Sequence, residues 1–333
     1  VRRVSTIAAA LAGALVTVAA CSGAIDTGTG KTAATDAPAA GAPAACQAEG
    51  AHIAVLLPNQ TNPYYVAMKK GFEEAAQENG MEAQVQIAGD DDAQQLAQAE
   101  AALQKKPCAL ALNPVKSEPA AAIVRAANDA GVPVFTVNIG VDPQALEAQG
   151  ATVVQYLGAD NKAGGELIAE QMLKDLGADA KLEIGFVTEP DEVPVVIRDE
   201  GFAEAIKANP NAQVAAQVDG NVKAPESLNV TSDMLQGNPN MNAIFASTGP
   251  ATQGALEAVT TSGRDVKVYG FCAPEVPLTA QYPACVAQEP EDYGRRTVAE
   301  IVKYAKGEKV EAEILRPLKL FVTGQTPGPG EVG

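Results

Sequence analysis

The chain has 333 residues and a formal net charge of −17, from 24 Lys and Arg against 41 Asp and Glu. So acidic a surface repels nucleic acid and anionic lipid, which excludes binders that rely on charge for either. A single histidine, His52, and no tryptophan exclude chemistry built on several imidazoles.

Val1-Arg2-Arg3 is followed by an apolar run over residues 7–20 and then Cys21. A positive segment, a short apolar core and small residues before the processing point describe an export signal over 1–20. The core is too short to span a bilayer comfortably. Val18-Ala19-Ala20-Cys21 resembles the bacterial lipobox, in which the cysteine is lipidated and becomes the new N-terminus. The alternative is a plain secretory signal with an incidental cysteine. Residues 22–45 are mostly Ala, Gly, Thr, Pro and Ser, too poor in bulky side chains to offset their ordering entropy. A disordered tether over 21–45 is therefore expected. Without residues 1–20, 22 basic residues face 41 acidic ones, a net charge of −19. Stable anchoring takes two acyl chains, which a diacylglyceryl cysteine supplies. An extracytoplasmic body held at the cell membrane through Cys21 follows.

The body alternates strands and helices. Residues 52–57 form a continuous apolar run with β-branched members, as in a strand covered on both faces. A turn cluster follows, in which Asn62 caps a helix and Pro63 takes its first position. Tyr65, Met68, Phe72 and Ala75/Ala76 recur at helical spacing until Gly80. Strands are then predicted over 83–88, 108–112, 132–137 and 152–157, with helices over 93–104 and 119–130. A long excursion separates the last two strands. A second series has strands over 182–187, 213–218, 243–246, 266–271 and 285–288. Its helices lie near 163–176, 195–208, 226–236, 252–261 and 293–306. Strands separated by helices predict parallel sheets with right-handed crossovers. Two such series predict an α/β protein of two doubly wound parallel-sheet lobes, with ligands bound at the carboxyl ends of the strands. Two lobes facing one cleft suit a hinge-closing binding protein.

Cys46, Cys108, Cys272 and Cys285 are an even set in an oxidising setting and permit three pairings. Cys46 precedes the first strand and Cys108 begins the third, so neighbouring strands bring them together. Cys272 ends one late strand and Cys285 begins the next. Disulfides Cys46–Cys108 and Cys272–Cys285 are expected over free thiols. No spacing suggests zinc, and neither a metal nor another cofactor is expected.

Residues 53–58, Thr61-Asn62-Pro63-Tyr64-Tyr65 and Met68 to Ala76 resemble the opening of the ribose-type periplasmic binding proteins. Ala111-Leu112-Asn113-Pro114, Gly131-Val132-Pro133, Leu157-Gly158-Ala159-Asp160-Asn161, Arg198-Asp199-Glu200-Gly201-Phe202 and Val268-Tyr269-Gly270-Phe271 follow in the family's order. The resemblance covers nearly all of 51–323. It implies the solute-binding component of an ABC importer, with a type I binding-protein fold whose lobes are joined by three crossing segments. The lobes are expected over 46–157 plus 289–317 and over 158–288 plus 318–324, with 325–333 a flexible tail. The implied partners are a small sugar-like ligand, an ABC permease and the membrane through the lipid anchor, but no nucleic acid; a monomer is expected.

The resemblance also implies ligand contacts. Asn62, Tyr64 and Tyr65 match the family's amide-and-ring loop, which stacks on a sugar face. Gln288 matches its hinge glutamine. Elsewhere the chain departs: Asn138-Ile139 stands for an Asp-Arg pair, Val196 for an arginine, Thr248 for an asparagine and Cys272 for an aspartate. With Arg198, the candidate ligand residues are thus Asn62, Tyr64, Tyr65, Asn138, Arg198, Thr248, Cys272 and Gln288. Fewer charge-assisted bonds predict a less charged pocket, suited to a smaller or less hydroxylated solute. Competing roles exist for most of these residues. Asn62 also serves as a helix cap, Tyr65 as a core residue, Asn138 as a turn former and Arg198 as a partner of Asp199, Glu200 or a neighbouring helix. Asp160 and Asn161 suit a helix cap, and Asp90-Asp91-Asp92 a solvated loop better than a metal site.

An enzyme is disfavoured: Ser247-Thr248-Gly249 is no nucleophile elbow, and no Gly-rich phosphate loop follows the first strand. A sensor that presents a polyol, autoinducer, nucleoside or aromatic compound to a membrane partner would share the fold. Repressors with the same core carry a helix-turn-helix where this chain has a signal and tether.

Overall fold

The computed structural model describes residues 44–47 and 50–333. The expected signal at 1–20, Cys21 and all but the last two residues of the expected tether lie outside the described residues. In the first lobe, strands β1 (His52–Leu57), β2 (Glu82–Ile87), β3 (Ala109–Leu112), β4 (Val134–Val137) and β5 (Gln155–Ala159) alternate with helices. These are α1 (Pro63–Glu78), α2 (Asp92–Leu103), α3 (Ala120–Asp129) and α4 (Pro143–Gln149). The second lobe runs through α5 (Asn161–Leu176), β6 (Leu182–Thr188), α6 (Val193–Ala205), β7 (Ala212–Asp219) and α7 (Ala224–Gly237). It continues through β8 (Ala243–Ala246), α8 (Gly249–Ser262), β9 (Lys267–Phe271) and β10 (Ala284–Ala287). The chain then returns through α9 (Pro290–Ala305) and β11 (Glu313–Arg316) before β12 (Lys319–Val322).

One sheet has the order β11-β5-β4-β3-β1-β2 and the other β12-β10-β9-β8-β6-β7. All pairings are parallel except β10 with β12. Three segments pass between the sheets, after β5, β10 and β11. The two doubly wound lobes are those expected. Helix α4 was not: its side chains are not buried, so the apolar stripe that announces a helix is missing. It is defined at its ends, by Asp142 accepting from the Ala145 N–H (2.8 Å) and by Gly150 at φ 59°.

Strand β1 shows why these runs become central strands. Ile53, Val55 and Leu57 join one apolar cluster beneath α1 and α9, while Ala54 and Leu56 join another beneath α2 and α3. Each large side chain so buried contributes about 1.5–3 kcal/mol. Ile184 and Phe186 of β6 likewise serve one layer and Val187 the other. Helix pairs flanking the sheets approach closely at glycine. A Cβ at Gly71 of α1 would run into the Glu291 carbonyl at the start of α9, and one at Gly165 of α5 into the Arg198 carbonyl of α6. Both expected disulfides are formed, Cys46–Cys108 with Cα atoms 4.5 Å apart and Cys272–Cys285 with 4.9 Å.

Residues 325–333, expected as a flexible tail, are hydrogen-bonded to the body. Val332 exchanges backbone hydrogen bonds with Gln288 (2.8 and 3.2 Å), and its side chain is 1% exposed. Backbone pairing and one buried valine hold the segment against the crossing after β10.

Candidate functional site

The loops at the carboxyl ends of the two sheets meet across a cleft whose inner cavity is about 20 Å³. Asn62, Tyr64, Tyr65, Asn138 and Ile139 line it from the first lobe. Glu192, Arg198, Val222 and Thr248 line it from the second, with Gln288 and Gly333 at the crossing. Of the eight candidate residues, seven surround this one cavity. Cys272 does not: it is fully buried in its disulfide behind the wall and offers only backbone groups.

Asn62 caps α1, its side chain accepting the Tyr64 N–H at 3.0 Å, so it fixes the direction of both tyrosines. The rings meet edge to face at 5.5 Å. Both reach the cavity and both belong to the first-lobe core, so the competition expected between core and cleft for Tyr65 does not arise. The Tyr64 hydroxyl lies 2.8 Å from Asn138 Oδ1 and 3.0 Å from Gln288 Oε1. A hydroxyl carries one hydrogen, so it can donate to only one of these oxygens at a time. Burial pushes the Tyr64 and Tyr65 hydroxyls well above the usual phenol range, which keeps both as neutral donors. Asn138 takes φ 63°, a left-handed position that asparagine tolerates; its N–H donates to the Leu157 carbonyl and its own carbonyl receives the Tyr156 hydroxyl.

Arg198 does not pair with Asp199 or Glu200. Its Nε donates to Asn161 Oδ1 (2.8 Å) and its Nη1 to the Ser247 carbonyl (2.9 Å), and the guanidinium stacks 4.0 Å from the Phe271 ring centre. Asp199 is held by the Thr188 and Ser247 hydroxyls, with burial raising its carboxyl to about 6. Asp160 caps α5 through the Ala163 N–H, while Asn161 orients Arg198. Thr248 caps α8 through the Ala251 N–H at 3.2 Å. Asp91 caps α2 through the Gln94 N–H, and no group of His, Cys, Asp or Glu among the described residues is placed to hold a metal ion.

Glu192, which sequence reasoning missed, joins Arg198 at the cavity. Glu192 stands just before α6 and is 7% exposed; burial first, then Glu189, raises its carboxyl to about 8. Glu189 itself is raised to about 7, chiefly by burial. Val222, also missed, takes φ 49° at the cleft, unusual strain for a β-branched residue and of the kind that gathers at functional sites. Outside Tyr65, Glu192 and Val222 a vestibule of about 300 Å³ opens, bordered by Asp90, Asp92 and Glu189 against Lys116 and Lys223. The lobes are drawn together beside it. Lys116 of the first pairs with Asp191 of the second, and Ser117 Oγ accepts the Val193 N–H at 3.1 Å.

Residues 53–309 match the periplasmic binding protein domain. The ribose import binding protein of Bacillus subtilis is 32% identical over 265 residues, spanning 78% of this chain and 83% of that protein. The D-allose-binding periplasmic protein of Escherichia coli is 27% identical over 269 residues, 78% of this chain and 86% of that protein. Among solved structures, an ABC transporter periplasmic solute-binding protein from Actinobacillus succinogenes with bound D-allose superposes with a TM-score of 0.73. It is 25% identical, over 82% of this chain and 97% of that one.

Proposed function

Because the chain belongs to the periplasmic binding protein family, in its sugar-binding ABC-importer branch, and is a binding protein rather than an enzyme, we propose the following role. It is an extracytoplasmic lipoprotein that captures one small sugar-like solute between its lobes and delivers it to an ABC permease. The observation that carries this is the convergence on one cavity of ring faces and amides from the first lobe with Arg198, Glu192 and Thr248 from the second. Tyr64 and Tyr65 supply apolar faces for a sugar ring. Asn62, Asn138 and Gln288 can each donate and accept toward hydroxyls, Arg198 adds charge-assisted bonds, and the proton-holding Glu192 carboxyl adds an O–H donor. A solute that bridges both sets favours the closed lobes, which Lys116 and Asp191 clasp outside the cavity.

Lipidation at Cys21 and a tether ahead of Cys46 hold the receptor beside its permease, which raises its effective concentration there. The two aspartates and two arginines missing from the family's pattern leave fewer partners for hydroxyls, which supports a small pentose, deoxysugar or polyol over a fully hydroxylated hexose. A thermal-shift screen of pentoses, hexoses, deoxysugars, polyols, nucleosides and small aromatics tests the assignment. A solute at a hundred times its Kd stabilises by about 2.7 kcal/mol. No shift with any sugar or polyol, beside a clear shift with a nucleoside or aromatic, would refute it.

A further inference from the structure

Residues 325–333 are pinned along their length. The Leu278 N–H donates to the Gln325 carbonyl (3.0 Å), the Gly328 N–H to Glu331 Oε2 (2.9 Å), and Glu331 pairs with Lys319. Val332 then forms its two-bond antiparallel bridge with Gln288, while its side chain joins the first-lobe cluster that contains Tyr64 and Tyr293. Gly333 crosses to the second lobe. Its N–H donates to the Cys272 carbonyl (2.9 Å) and its carbonyl accepts the Gly249 N–H (2.8 Å) at the first turn of α8.

The seat fits backbone alone. A Cβ on Gly333 would run into Phe271 and Cys272, and one on Gly249 would lie 2.6 Å from the Gly333 oxygen. Gly333 also lines the cavity. Thr248 and Cys272 are the two positions at which the family resemblance implies polar contacts to a ligand from β8 and β9. In this chain the backbone beside both, at Gly249 and Cys272, is turned onto residue 333. Residue 333 thus forms the stretch of cavity wall between Thr248 and Cys272.

We propose that residues 331–333 are a built-in wall of the solute cleft, a strap that fills its second-lobe side and restricts it to solutes smaller than a hexose. The proposal rests on the assignment of the cleft as the solute site. The strap also ties the lobes at the crossing, with a side chain in one core and a backbone bonded to the other.

Two measurements test it, using the full chain and a chain ended at Gln325. In amide exchange without added solute, the Gly249 and Gln288 N–H groups exchange at least about tenfold more slowly in the full chain. Equal rates overturn the seat. In calorimetric titrations of glycerol, D-ribose and D-allose, the shortened chain gains affinity for D-allose over glycerol by about tenfold or more, the scale on which pocket size discriminates. If the full chain binds none and the shortened chain binds D-allose, the strap is likewise supported. A full chain that binds with an unchanged preference after shortening overturns the strap and leaves the cleft assignment standing. Binding of no solute by either chain overturns both. Val332→Ala, which loosens the strap without removing backbone, is run alongside. Should the shortened chain not melt cooperatively, a partial shift of exchange and of preference in V332A supports the strap, and none overturns it.

Discussion

Replacing Glu192 by glutamine should change how stability depends on pH. The carboxyl is 7% exposed at the start of α6, makes no cap to its helix, and is raised from 4.5 to about 8. Burial is the main cause; Glu189, Asp90 and Asp191 add to it and the Arg198 guanidinium opposes it. Below the ordinary carboxylate range the folded and unfolded chains are both protonated, and the full stability is present. Between there and about 8 the folded chain holds a proton that the unfolded chain has released, so stability falls as pH rises. The full interval corresponds to roughly 5 kcal/mol at most. Glu189 titrates in the same window and shares the effect, and water entering the vestibule screens it further, which reduces the expected change to about 2 kcal/mol. Urea unfolding of the wild type and Glu192→Gln at pH 5, 6.5 and 8 measures it. The glutamine variant should match the wild type near pH 5 and exceed it at pH 8, with a flatter profile. Parallel profiles for the two proteins would refute the account of Glu192 as a buried, proton-holding wall of the cleft.

Arg198→Met leaves Asn161 Oδ1 and the Ser247 carbonyl without their donor and should cost about 2–4 kcal/mol in urea unfolding. A loss below about 0.5 kcal/mol would show that water replaces the guanidinium. Removing the Cys272–Cys285 disulfide by paired alanine substitution frees a loop of sequence separation 13 and should cost about 3 kcal/mol, read as a lowered unfolding midpoint. Gly165→Ala places a methyl against the Arg198 carbonyl where α5 meets α6 and should lower stability by about 1–3 kcal/mol or more, while an unchanged melting temperature would mean the helices part without strain.

The lobes were legible because their central strands are buried on both faces and their helices begin at strong caps. The runs at β1 and β8 and the Asn62-Pro63 cap carry that information within a few residues. Helix α4 carries none of it, since it buries no stripe. Seven of the cleft residues were legible through the family resemblance, but Glu192 was not. It lies in a loop where no periodicity operates, and only the meeting of the two lobes gives it a wall to occupy. The seat of the last segment was not legible either, because it consists of backbone hydrogen bonds, which side-chain composition does not encode. A neighbouring helix was among the partners expected for Arg198, but Asn161 and Ser247 themselves were not legible, because they lie far along the chain in other elements.

We place the sugar-like solute in the cavity between the lobes. Calorimetric titration of the strongest thermal-shift ligand into the wild type, Tyr64→Phe and Gln288→Ala tests this placement. The Tyr64 hydroxyl sits between Asn138 and Gln288, so both variants disturb one polar cluster at the cavity. One-to-one binding by the wild type and affinities weakened about 10- to 100-fold in both variants, each still unfolding cooperatively without ligand, is the predicted result. Undiminished affinity in both variants would contradict it and place the solute elsewhere on the molecule.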